Sequence, residues 1–191
     1  TGVQTCALPI SMTPAEYPES WVQYQNAELL GDFFLEYRQI SCPFIISYSF
    51  IVPDQVKAKR SANFKMAKSI RDAESGFTKW VPQLAKDAQS WRFVADKLRS
   101  NQKLVDATYH LTLFARSEEE LENAIQQAKG LYESYGFSLQ NERFVQLKNF
   151  LMTMPMIPGN GLIKDFQKLG KTEPQVSWTC SNLAPLQGDF K

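Results

Sequence analysis

One tripeptide, Gly170-Lys171-Thr172, has the residues that end a phosphate-binding P-loop. In that loop a glycine-rich backbone wraps the phosphates, while the Lys and Thr side chains reach phosphate and magnesium. The motif also needs a glycine at position 165, where this chain has Asp165, whose carboxylate repels phosphate. The intervening residues are typical of a helix end. We therefore predict a helix that ends at Leu169, with Gly170 as its cap, and no phosphate site.

A nucleophilic mechanism of the Ser–His–Asp or Cys–His kind would have to use His110, because it is the only histidine. This residue lies in a strand-like stretch with Thr108 and Thr112 on the same face, which is typical of a structural histidine. A single histidine and scattered cysteines also leave no zinc-binding set. The sequence therefore predicts no catalytic, cofactor-binding or metal-binding residue.

The cysteines Cys6, Cys42 and Cys180 form no CxxC pair and no metal-spaced pair. This pattern is typical of buried thiols in a reducing compartment. No apolar run reaches the roughly 18 residues that a membrane-spanning helix needs, and the opening residues lack the order of a signal peptide. We therefore expect a cytoplasmic location.

Charge is unevenly distributed along a chain whose net charge is only +1. Residues 57–103 carry twelve Lys and Arg against four acids, whereas residues 12–54 and 104–143 are acidic. The basic segment, which contains Trp80 and Trp91, suggests a stand-alone module that binds single-stranded nucleic acid. A solvated helical face, or one that meets the acidic segments of the same fold, explains the same charges and is the favoured interpretation.

The elements that would position these residues alternate between strands and helices. Strands are predicted at 43–52, 106–115 and 137–140, because apolar residues alternate there. Helices are predicted at 55–73, 77–100, 143–153 and 161–169, and a further helix follows the capping box formed by Ser117 and Glu120. The pattern predicts an α+β fold: a ferredoxin-like or similar small sheet with helices packed on one face, followed by a helical connector.

Residues 109–156 resemble the amino-terminal region of the CagE/TrbE/VirB family of conjugation and secretion ATPases. The shared pattern is a strand, an acidic capped helix, Gly136-Phe137, and a helix that ends at a Met-Pro turn. Residues 161–191, ending in NLAPLQGDFK, are similar to the F-type members, and the strand at 42–54 fits the same placement.

The resemblance implies an amino-terminal assembly and docking domain at 12–156 and a connector at 157–191 that leads toward a RecA-like motor. ATP and magnesium are expected only in that motor, beyond Lys191, so no nucleotide-binding residue is assigned here and the chain itself is not expected to be an active enzyme. The implied role is in pilus assembly and DNA transfer. The implied partners are sister ATPase subunits, in a possible homo-oligomer, and other secretion subunits. The implied location is peripheral to the inner membrane.

The first eleven residues, TGVQTCALPIS, precede the first methionine, Met12. One choice of codons for them, ACT GGA GTT CAG ACG TGT GCT CTT CCG ATC T, matches a common short-read sequencing adapter. We therefore expect residues 1–11 to be an assembly artefact that is disordered and packs against nothing, which removes Cys6 from the cysteine count. The chain is then expected to be a fragment that stops before the motor.

Overall fold

The computed structural model describes residues 8–18, 20–32, 34–35, 38–75, 80–141, 145–154, 159–169 and 171–184. The described chain contains both a sheet and helices, so the predicted α+β class is confirmed. It divides into two compact units. The sheet unit comprises Thr1–Ser49, Thr108–Thr172 and Asn182–Lys191, and the hairpin unit comprises Phe50–Ala107 and Glu173–Ser181.

Five strands of the described chain form the sheet. Their bounds are β1 Leu8–Glu16, β2 Phe44–Ile51, β3 Leu104–Ala115, β4 Ser138–Asn141 and β5 Glu173–Val176. The hydrogen-bonded order is β2-β3-β1-β4, and β5 pairs with the first residues of β3. Strand β1 pairs antiparallel with both β3 and β4, and its register sets Met12 opposite Leu111 and Asn141.

The position of β1 corrects one expectation. Residues 8–11 are not disordered, because they pair with β3 from Leu8 opposite Ala115 to Ser11 opposite Thr112. Ser11 and Met12 are fully buried, and the Ser11 and Thr112 hydroxyl oxygens lie 2.8 Å apart. Alternating apolar residues in LPISM make this pairing favourable. The adapter origin of residues 1–11 stays a prediction, and residues 1–7, with Cys6, lie outside the described residues.

In the described part of the chain, six α-helices accompany the sheet: α1 Gln55–Glu74, α2 Gln83–Arg99, α3 Glu118–Ser134, α4 Gln146–Thr153, α5 Asn160–Lys168 and α6 Ser177–Leu183. A 3-10 helix, Gln23–Leu30, lies between β1 and β2. This order departs from the ferredoxin-like pattern, because two helices, α1 and α2, separate β2 from β3, and the described residues between β1 and β2 contain no α-helix.

Helices of the sheet unit cover both faces of β3, whereas the sequence predicted helices on one face. Tyr109, Leu111 and Leu113 point to one side and share a core with α3. The alternate residues point to the other side, where the Phe114 ring lies 6.2 Å from that of Phe150 on α4, and the His110 ring lies 5.8 Å from that of Phe166 on α5. Burial of nearly every β3 residue is the reason a second helical layer is needed.

The hairpin unit is built from α1 and α2, with a small core of Ala62, Leu98, Leu104 and Val176. Asp54 caps α1, because its side chain accepts the Val56 and Lys57 backbone N–H groups. Helix α2 begins at Gln83, after Pro82, and residues 77–79 of the predicted helix lie outside the described residues. Residues 173–183, in which no strand or helix was predicted, form β5 and then the helix α6.

The cap at the start of α3 is close to the predicted capping box, and Gly136 follows the end of the helix. The Ser117 hydroxyl accepts the Glu120 N–H at 3.2 Å, as a capping residue does, but the Glu120 carboxylate accepts from Arg116 N–H at 2.7 Å rather than from Ser117. Gly136 ends the helix with φ of 83°, a left-handed conformation that favours glycine. These caps fix α3 against the sheet.

Candidate functional site

The sheet unit contains a layer of buried polar side chains between β3 and the helices α4 and α5. Ser11, His110, Thr112 and Asn149 belong to it, and each is at most 1% exposed. The edge-to-face contact with Phe166 holds the His110 ring inside the fold. A substrate has no access to a ring in that position, so the structure places His110 as a packing residue of the sheet.

The residues that resemble the end of a P-loop lie at the carboxyl end of α5. The Leu169 N–H donates to Asp165 O and the Lys171 N–H donates to Phe166 O, each at 2.9 Å, as at a helix end. Lys148 Nζ lies 2.8 Å from an Asp165 carboxylate oxygen, and that ion pair lowers the pKa of Asp165. A phosphate cradle needs the opposite, amino-terminal end of a helix. The predicted cap, Gly170, lies outside the described residues.

Both described cysteines are buried, as the sequence predicted, and neither forms a disulfide. Burial raises the pKa of the Cys42 thiol, which keeps it protonated and unreactive. Among the described residues no three His, Cys, Asp or Glu side chains are grouped so that they could hold a metal ion. Within the same part of the chain, no helix has the length and apolar character to cross a membrane.

The exposed surface of α1 is the most distinctive feature of the hairpin unit. We call Lys57, Arg60, Phe64, Lys68 and Arg71 the α1 basic face, and all five side chains are exposed. Phe64, which lies at the centre of this face, is 73% exposed. No acidic residue occurs from position 55 to 71, and no ion pair joins these four cations to any described residue. A shallow cleft at this face is lined by Phe64, Ala67, Lys68, Arg71 and Asp72, so one carboxylate borders the cations. This arrangement can bind an acidic surface.

Other aromatic rings of the hairpin unit have a lysine ammonium group over the ring face. Lys65 Nζ lies 5.3 Å from the centre of the Trp91 ring, and Lys97 Nζ lies 5.0 Å from that of Trp178. Trp91 is therefore not an open surface on which a base could stack, although the sequence suggested that it belongs to a segment that binds single-stranded nucleic acid. Trp80 is open, with 85% exposure. Phe64 was not among the predicted site residues, although its spacing of four residues from both Arg60 and Lys68 places it among cations.

A second exposed face, of opposite charge, lies on α3 in the sheet unit. We call Glu119, Glu122, Gln126, Gly130 and Glu133 the α3 acidic face, and all five positions are exposed. Its three carboxylates have no ion pair with any described residue. Space is open around Gly130, where an added Cβ would meet no atom within 4 Å. The opposite side of α3 carries the apolar core.

Comparison with known proteins gives two matches. The family described as "TraC protein" matches residues 5–158. Protein TraC of Escherichia coli strain K12 is 30% identical over 191 residues, an alignment that covers 98% of this chain and 22% of the relative. The chain thus spans less than a quarter of the length of that relative.

Proposed function

This chain belongs to the TraC family of conjugation and type IV secretion proteins, and we propose that it is the amino-terminal assembly and docking domain of a secretion ATPase. In this proposal residues 12–156 form the domain, and residues 157–191 form the connector to a RecA-like motor. The domain supports pilus assembly and DNA transfer through contacts with sister subunits and other secretion proteins. Its proposed location is the cytoplasmic side of the inner membrane.

The α1 basic face is the observation that carries the docking role. This face has four cations that form no described ion pair, and a largely exposed phenylalanine lies among them. Contact with an acidic partner would pair the cations and bury the exposed ring, which favours binding. The aromatic ring supplies apolar contact area, and the surrounding cations select the partner by charge. The face lies on a regular helix, so its side chains are held in a fixed arrangement.

The motor part of the proposal concerns residues beyond Lys191. There we expect a P-loop, ATP and magnesium, with hydrolysis by the extended protein and none by residues 1–191 alone. Sequencing the downstream reading frame and assaying both lengths tests this directly. An extended frame without a P-loop would rule out the motor.

Docking is tested by replacing Phe64 with serine in the extended protein and measuring conjugative transfer. Tyr24→Ser is the matched control, because Tyr24 has the same 73% exposure but lies in the 3-10 helix. We expect transfer to fall with Phe64→Ser, while ATP hydrolysis by the purified protein stays unchanged. Equal transfer by both variants contradicts the docking role.

Single-stranded nucleic acid is the second candidate ligand, because residues 57–103 carry a large excess of cations and Trp80 is exposed. Such binding would weaken steeply as salt is raised, since counterions are released from the phosphates. A titration with labelled single-stranded DNA at low and high salt measures it. Absence of binding at low salt removes this candidate.

A further inference from the structure

The α1 basic face and the α3 acidic face have the same spacing. Positions 57, 60, 64, 68 and 71 on α1 and positions 119, 122, 126, 130 and 133 on α3 both follow steps of three, four, four and three residues. Steps of three and four keep residues on one side of a helix. Each helix therefore presents one stripe of equal length, and the two stripes have opposite charge.

From the opposite charges of these two stripes we propose that the α1 basic face docks on the α3 acidic face of a second copy of the chain. The inference rests on the docking role proposed above, for which it names the partner. Charge complementarity favours this occupant over nucleic acid or an anionic membrane. Either of those would need only the cations, whereas here the same chain carries an acidic stripe with matching spacing. The low net charge of +1 means that copies do not repel one another.

Antiparallel and parallel arrangements of the two helices each bring three oppositely charged pairs together, and the helix dipoles favour the antiparallel one. The antiparallel arrangement pairs Lys57 with Glu133, Lys68 with Glu122, and Arg71 with Glu119, while Phe64 lies over the stem of Gln126. Each helix amino terminus then lies beside the carboxyl terminus of the other, which the helix dipoles favour. The open surface at Gly130 gives Arg60 room to approach. Contacts of this kind follow the ridges and grooves by which helices pack.

Sedimentation velocity of the chain tests the proposal. We expect self-association at low salt that weakens as salt rises, because exposed ion pairs are screened. Lys68→Glu/Arg71→Glu reverses the charge of the basic face, and Glu119→Lys/Glu122→Lys reverses that of the acidic face. Each variant alone should associate about tenfold more weakly than the wild type. Arg92→Glu/Lys103→Glu, with an equal change in charge outside both faces, should associate as the wild type does.

Mixing the two reversed variants is the decisive step. In the mixture the wild-type α1 basic face of one variant meets the wild-type α3 acidic face of the other, and the two reversed faces are also complementary in charge, so the mixture should associate more strongly than either variant alone. A mixture that stays monomeric overturns the proposal, as does a wild-type chain that is monomeric at low salt. Binding to single-stranded DNA or to phosphatidylserine vesicles by such a monomer would assign the basic face to that ligand instead.

Failure of this inference is distinguishable from failure of the docking role. If Lys68→Glu/Arg71→Glu abolishes transfer in the extended protein but the wild-type chain does not self-associate, the basic face docks on a different protein. If transfer is normal while self-association is lost, the contact between copies exists and the docking role is wrong.

Discussion

The two units of the chain bury their side chains in different ways. In the sheet unit, large residues such as Tyr132, Phe137 and Leu111 are buried, and helices cover both faces of β3. In the hairpin unit the buried helical positions are mainly small, such as Ala62, Ala88 and Ala95, while Phe64 and Trp80 are exposed. Burial of large apolar side chains is what stabilises a fold. The comparison therefore assigns stability mainly to the sheet unit and the basic docking surface to the hairpin unit.

The largest expected effect is on the core of the sheet unit. Leu111→Ala removes a fully buried side chain from β3, and we expect it to lower the free energy of unfolding by about 2–5 kcal/mol. Leu98→Ala in the hairpin unit is the matched change, at a site that is 8% exposed, and it should cost less because its cavity is nearer to solvent. Guanidinium unfolding measures both. Equal costs would remove the distinction between the two cores.

A smaller effect is expected from the buried tyrosine pair of the sheet unit. The hydroxyl oxygens of Tyr109 and Tyr132 lie 2.8 Å apart, and Tyr132→Phe leaves the Tyr109 hydroxyl without this partner. We expect a loss of about 1–3 kcal/mol, the cost of an unsatisfied buried polar group. Tyr135→Phe is the control, because its hydroxyl is exposed to water and donates to Glu28. A loss of equal size in the control would contradict this account.

The same pair predicts how stability depends on alkaline pH. Burial raises the pKa of both Tyr109 and Tyr132 above the ordinary value of 10. The folded state therefore keeps protons that the unfolded state loses, so stability is retained below about pH 10 and falls as the pH rises above it. Thermal melting between neutral pH and pH 11 measures this. The Tyr132→Phe variant should show a weaker dependence on pH.

The smallest effect is expected at the cap of the hairpin unit. Asp54→Ala removes the acceptor for two N–H groups at the start of α1, which typically costs about 1 kcal/mol. Asp54→Asn keeps an acceptor at the same position and should restore most of that stability. Guanidinium unfolding and the helical circular dichroism signal measure both variants. Equal free energies of unfolding for Asp54→Ala and Asp54→Asn would mean that the cap does not stabilise α1.

Local signals in the sequence predicted some elements well. Ser117, Glu120 and the apolar spacing of α3 identified that helix because its caps and core face are encoded within a few residues. The strand β3 and the helix α1 were predicted for the same reason. The buried positions of His110, Cys42 and Cys180 also followed from local pattern.

Features set by tertiary packing were not predicted. The strand β1 was overlooked because LPIS becomes a strand only beside β3 and β4, which lie far away in sequence. Helix α6 was overlooked because its short segment has weak periodicity and depends on contacts with distant residues, such as that of Ser177 with Lys103. The exposure of Phe64 depends on which side of α1 faces α2, and composition does not reveal that.

Conjugative transfer by the Lys68→Glu/Arg71→Glu variant of the extended protein, measured together with its free energy of unfolding, tests the division between the units most directly. The two side chains are exposed and have no described ion pair, so stability should change by less than about 0.5 kcal/mol. We predict that transfer is lost while stability and ATP hydrolysis are kept. Normal transfer with unchanged stability would contradict the assignment of the basic docking surface to the hairpin unit.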